Sequence, residues 1–184
     1  MTFISGIKRR RLGVILGPPG SGKTRFAVEM VLDTVQLGGK AAYFYGADGH
    51  PLHNLHVAAP AAQGIDMFDC AANSCLGDLP YLIKGLLNQS PGNGQYDLVI
   101  AESYEDAQGR AKELAALSDL AHHYEVPIFL TAQLPRSMMG QVGLSVEEFK
   151  MVDAAYFPSA KDKEVVVLRD RLLAAGVHLW VPTL

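Results

Sequence analysis

Gly17-Pro18-Pro19-Gly20-Ser21-Gly22-Lys23-Thr24 satisfies the pattern G-x-x-x-x-G-K-[ST] at every fixed position. Glycines at these spacings let successive backbone N–H groups turn inward around a phosphate. A helix that starts there adds the positive end of its dipole. Lys23 is then placed to reach the β- and γ-phosphates of a nucleotide, and the Thr24 hydroxyl to ligate Mg²⁺. The nucleotide-binding stretch is therefore Gly17, Pro18, Pro19, Gly20, Ser21, Gly22, Lys23, Thr24 and the adjoining Arg25, with ATP and Mg²⁺ as its ligands. The competing explanation is an accidental glycine-rich turn, and the flanks argue against it. Residues 12–16 form a short apolar run that stops at Gly17, as a strand does before a loop. Residues 23–37 carry Phe26, Ala27, Met30, Val31, Thr34 and Val35 at helical spacing and close on Gly38-Gly39.

Outward from the loop, strand and helix signals alternate. Further strands are expected at 41–45, 65–70, 98–101 and 127–132. Residues 107–124 read as an amphipathic helix, with Ala111, Leu114, Ala115, Leu117, Leu120 and Ala121 on one side. Such alternation requires a mostly parallel sheet flanked by helices, because parallel neighbours need crossover connections. After about residue 150 the pattern changes. Residues 154–157, 164–168 and 176–181 are strand-like with short connections, which predicts antiparallel strands added to one edge of the sheet. The fold class is thus α/β, and the 184 residues are read as one domain, 1–184.

Composition bounds the partners. An apolar share of 49% supports a real core, and a net charge of −3 supplies no global positive field for nucleic acid. No run of about 18 apolar residues occurs, so no membrane partner is expected. Lys8-Arg9-Arg10-Arg11 leads straight into a strand, whereas a signal peptide sets its charges before an apolar stretch; the expected location is cytoplasmic. Cys70 and Cys75 lie in no zinc-type array and are read as buried reduced thiols.

A phosphate loop needs an acid on a neighbouring strand to hold the water shell of Mg²⁺. Asp97-Leu98-Val99-Ile100-Ala101-Glu102 offers an apolar strand with an acid at each end. Glu102 falls at the C-terminal edge, where open α/β sheets bind ligands, and Asp97 at the strand start. Glu102 is therefore paired with Thr24 as the metal-holding set.

That segment, the helix after it, and Glu125-Val126-Pro127-Ile128-Phe129-Leu130-Thr131-Ala132-Gln133-Leu134-Pro135-Arg136 resemble the core of RecA-like P-loop ATPases, in particular the motor domain of DnaB-type hexameric replicative helicases. The resemblance implies that Gln133 senses the γ-phosphate at the end of its strand. It extends through Ser145-Val146-Glu147-Glu148-Phe149 and Val152-Asp153-Ala154-Ala155 to Val165-Val166-Val167-Leu168-Arg169-Asp170-Arg171 and Gly176-Val177-His178-Leu179. In that family two basic residues reach across a subunit interface to the neighbour's triphosphate, and Arg169 and Arg171 match them. Arginine suits the task, since it stays charged and grips phosphate bidentately. A homo-oligomer, as a hexameric ring or a filament, and single-stranded nucleic acid are the partners so implied.

The sequence departs from the family at two places. The family's catalytic Glu follows the second strand, where this chain reads Tyr45-Gly46-Ala47-Asp48-Gly49; direct register gives Ala47, a one-residue shift gives Asp48, and Glu105 is a further candidate base. The family's additional N-terminal domain has no room here. A rival reading follows: a nucleotide-gated regulatory or binding module for a protein partner, with little hydrolysis. The segment 134–145 carries one basic residue, Arg136, which is thin for a nucleic-acid loop. A small-molecule kinase would need several arginines in a lid, and residues 50–96 hold only Lys84. His50, His53 and His56 recur every third residue, a spacing that fans across a helix and does not converge on a metal. Lys8 to Arg11 is either a phosphate-contacting patch or a solvated charge run, and Trp180 is read as packing.

Overall fold

The computed structural model describes residues 12–46, 49–70, 79–89, 96–102, 110–133, 145–170 and 175–179. Among them lies an eight-stranded sheet in the order β3-β2-β4-β5-β1-β6-β7-β8. The strands are β1 (Leu12–Gly17), β2 (Ala41–Tyr45), β3 (Ile65–Asp69), β4 (Leu98–Ala101), β5 (Ile128–Gln133), β6 (Ala154–Ser159), β7 (Glu164–Asp170) and β8 (Gly176–Leu179). The first six in chain order run parallel, and β7 and β8 continue the sheet as antiparallel partners. This is the RecA-like α/β architecture.

Side-chain alternation sorts the two faces. Val14, Leu16, Ala42, Phe44, Val99, Ala101, Leu130 and Ala132 face one core, which is closed by α3 (Leu79–Asn88), α4 (Arg110–His123) and α5 (Val146–Met151). Ile15, Tyr43, Ile100, Phe129 and Tyr156 face the other, covered by α1 (Lys23–Gln36) and the short α2 (Pro51–Asn54). Two-sided burial explains why these strands read as continuous apolar runs.

The expected antiparallel set is corrected at its first member. β6 pairs parallel with β1, Gly13 opposite Ala154 and Ile15 opposite Tyr156. Residues 134–153, with α5 near their end, are long enough for the crossover a parallel neighbour needs. Ser145 caps α5 reciprocally: its hydroxyl accepts from the Glu148 N–H at 3.1 Å, and the Glu148 carboxylate accepts from the Ser145 N–H at 2.6 Å. The S-x-x-E spacing announces this helix. Helix α3 likewise buries Leu79, Ile83 and Leu87, a fourfold spacing that composition alone does not single out. The α4 stripe is narrower than expected, with Leu114, Leu117 and Ala121 buried and Ala115 exposed. Cys70 is half-buried against the α3–α4 core, and Cys75 lies outside the described residues.

Candidate functional site: the cleft over the phosphate loop

Parallel strands deliver their C-terminal ends to one edge of the sheet, and Gly17, Tyr45, Glu102 and Gln133 all lie there. Residue Gly17 pairs with Gln133 across β1 and β5, so the loop and the end of β5 are direct neighbours. Strand β5 also separates the loop strand from β4, which carries Glu102.

The loop is built by close approach. A Cβ on Gly17 would stand 2.4 Å from the Ser21 hydroxyl oxygen, so only glycine admits this fold of the chain. Gly22 enters the left-handed region at φ 99° and begins α1 with no side chain capping the helix. No acidic residue stands in the first turn of α1 either. Its N-terminal amides and dipole thus point at the cleft uncompensated by a carboxylate of that turn. The Lys23 ammonium rests over the loop, donating to the Gly17 carbonyl at 2.9 Å and the Pro18 carbonyl at 3.0 Å. The hydroxyl of Ser21 is buried without a hydrogen-bond partner. The loop is tied to the β6–β7 turn, where the Ala160 N–H donates to the Ser21 carbonyl at 2.9 Å.

A cleft of 610 Å³ opens over this loop, within the range of small-ligand sites. Lys23, Thr24, Arg25, Glu102 and Gln133, all expected from the sequence, line it. Pro19, Gly20 and Gly22 supply the rim of the loop. Thr131, Leu55 and Ala160 also line it and were not foreseen. Thr131 has a local signal, since it stands two residues before Gln133 and so shares its face of β5. Leu55 and Ala160 come from distant turns and have no such signal.

Glu102 is only 8% exposed. Its N–H donates to the Phe44 carbonyl at 2.8 Å, and its Oε1 accepts from the Tyr43 hydroxyl at 2.7 Å. Burial, then the charge and hydrogen bond of Glu102, push the Tyr43 phenol well above its ordinary range. The acid at the other end of β4 has a different task. Asp97 accepts from the Lys40 N–H at 2.9 Å and donates its own N–H to the Lys40 carbonyl at 2.7 Å, pinning the strand start.

Arg169 is not brought to this cleft. It pairs with Ala155 near the start of β6, so it stands toward the sheet edge opposite the loop. Its guanidinium donates to the Phe149 carbonyl of α5 and sits 5.3 Å from the centre of the Phe149 ring. Arg171, Asp48, Ala47, Glu105 and most of the 134–145 segment lie outside the described residues. His50 precedes α2, His53 lies within it and His56 follows at φ 54°. No group of three or more His, Cys, Asp or Glu that could hold a metal occurs among the described residues. No helix among them is long and apolar enough to cross a membrane.

No protein-family model matches the sequence, and no curated protein matches it. Among solved structures, the chain is similar to the ATPase domain of a DnaB-like helicase. The two share 15% sequence identity and a TM-score of 0.62, over 92% of this chain and 80% of that one. At that identity the likeness is one of fold, and the fold is that of an ATPase domain.

Proposed function

We propose that the protein binds ATP with Mg²⁺ in the cleft and hydrolyses it as the motor core of a ring or filament acting on single-stranded nucleic acid. The observation that carries this reading is convergence: Lys23, Thr24, Glu102 and Gln133, from separate places in the chain, line one cleft over a glycine loop. The donor set suits Mg²⁺, which binds through one or two carboxylates and substrate phosphates and keeps several waters. One buried carboxylate and the Thr24 hydroxyl provide that. When bound, the metal neutralises charge on the phosphate oxygens.

The chain's own groups do the rest. Loop amides and the α1 terminus receive the phosphates, and the Lys23 ammonium exchanges the Gly17 and Pro18 carbonyls for phosphate oxygens. Glu102 orients the metal's water shell, while the Gln133 amide contacts the γ-phosphate and couples it to residues 134–145. Asp48 or Glu105 orients the attacking water. Arg169 and Arg171 reach a neighbouring copy's triphosphate, which fits the position of Arg169 away from its own cleft. A cytoplasmic location accompanies this role.

The second reading, a nucleotide-gated module for a protein partner, draws support from Arg169, whose guanidinium is engaged within its own chain. The ATPase rate with and without single-stranded DNA or RNA separates the two. The motor reading expects stimulation by the strand and loss of nucleotide binding in Lys23→Ala. Tight ATP binding with a slow, unstimulated rate favours the module. Equal ATP affinity in wild type and Lys23→Ala overturns both.

A further inference from the structure

We infer that Tyr43 is a positioning residue for Glu102: its hydroxyl fixes the plane of the carboxylate so that the remaining lone pairs meet the water shell of Mg²⁺. The inference rests on Glu102 being the metal-holding acid of the proposed site.

Tyr43 stands in the middle of β2 with no exposed surface, packed in the α1-side core with Ile15, Ile100 and Phe129. It pairs with Ile100 across the β2–β4 ladder, and Glu102 lies two residues further along the same face. The ring is long enough to span that offset, and its hydroxyl ends 2.7 Å from Oε1. The Glu102 main chain is held separately by the Phe44 carbonyl at 2.8 Å. Backbone and carboxylate are thus anchored at different points of one neighbouring strand, which leaves the side chain little freedom to turn. An ionised carboxylate accepts at about four lone-pair sites. The phenol occupies one and directs the others. Its raised pKa keeps the proton on the tyrosine, so it acts as a donor throughout. A buried phenol needs a partner in any core; the choice of the one carboxylate that also lines the cleft is what makes this contact more than satisfaction of a polar atom.

The test compares wild type, Tyr43→Phe, Glu102→Gln and the double variant by calorimetry of ATP binding with and without Mg²⁺, and by kcat. Tyr43→Phe is expected to leave metal-free ATP affinity unchanged. It should weaken the gain in affinity that Mg²⁺ provides and lower kcat by about tenfold, the lower end for outer-shell partners of metal ligands. The double variant should match Glu102→Gln alone, because the phenol acts only through that carboxylate. Glu102→Asp, which keeps the charge but withdraws it by one methylene, should behave like Tyr43→Phe and serves if the latter fails to fold. A wild-type Mg²⁺ response in Tyr43→Phe or Glu102→Asp, or losses that multiply in the double variant, overturns the inference while the proposed function stands. A Glu102→Gln variant with a wild-type Mg²⁺ response refutes the site assignment itself, and the inference with it.

Discussion

Substituting Gly13 by alanine tests how tightly the strand that carries the phosphate loop is packed. Gly13 faces the α1-side core, opposite Phe129 on β5 and Ala154 on β6. A Cβ there would stand 2.1, 2.5 and 2.8 Å from three carbons of the Phe129 ring, well inside contact distance. The ring has nowhere to retreat: it is fully buried and stacks at 6.4 Å on Tyr156, itself fully buried. Overpacking of this kind costs about 1–3 kcal/mol, and a boxed-in ring belongs at the upper end. Against that, alanine is easier than glycine to hold in a strand by about 0.5–1 kcal/mol. The clash wins, leaving a net loss of about 2 kcal/mol, or roughly 4–8 °C in Tm for a chain of this size. Thermal and urea unfolding of Gly13→Ala, Phe129→Leu and the pair measure it. Because the smaller leucine makes room for the added methyl, the double variant should be more stable than the summed losses by about 1 kcal/mol. A Gly13→Ala chain melting at or above the wild type, or strict additivity in the pair, refutes the packing argument.

Asp66 gives a pH-dependent contribution of known sign. Partial burial disfavours its ionised form, but hydrogen bonds from Lys40 and Tyr96 and the ammonium charge outweigh this and hold it below the usual 3.8. Its stabilisation is therefore full above that value and lost as pH falls through the lower folded-state pKa. With the Lys40–Asp66 pair 38% and 43% exposed, the effect should be about 0.5 kcal/mol at low salt, read as a wild-type minus Asp66→Asn difference that is flat near neutrality and vanishes in acid. Asp97→Ala should lower stability by about 1 kcal/mol and spare ATP affinity, whereas Glu102→Gln should spare binding and slow hydrolysis; the reverse pattern would exchange their roles. Arg169→Ala should bind ATP normally yet hydrolyse it poorly, and wild-type specific activity should fall on dilution. Constant activity in a proven monomer would limit Arg169 to its contact with Phe149.

Local chemistry was readable where a residue type has few uses. The loop from Gly17 to Thr24, the apolar stretch of β4 and the contrast between Asp97 and Glu102 followed from spacing and strand polarity alone. The capping box of α5 was equally present in the letters of Ser145 and Glu148. What periodicity does not carry is the identity of a strand's neighbour. Alternation places Tyr43 on the α1 face, but only the order β2-β4-β5-β1 brings its hydroxyl to Glu102 and sets Gln133 beside Gly17. For the same reason Gly13 looks like an ordinary strand glycine until Phe129 lies against it. The parallel setting of β6 was hidden too, since a short apolar run after a helix reads alike in either direction.

The two edges of the sheet treat their charges differently, and this separates structure from chemistry. At the N-terminal edge the polar groups close on one another. The Lys40 ammonium meets Asp66 at 2.8 Å and lies 4.5 Å from the Tyr96 ring centre, while Tyr96 donates to Asp66 and Asp97 holds the Lys40 backbone. Opposite charges that neutralise one another locally leave no field for a ligand. At the C-terminal edge the arrangement is reversed. The α1 terminus has neither a capping side chain nor an acid in its first turn, the Lys23 ammonium rests on loop carbonyls, and a neutral phenol answers Glu102. A positive helix end, a mobile cation and a carboxylate left ionic suit a polyanion that arrives with its own divalent cation. Asp97 and Glu102, at the two ends of one strand, thus differ in role because of the edge each occupies, although both are acids flanking the same apolar run.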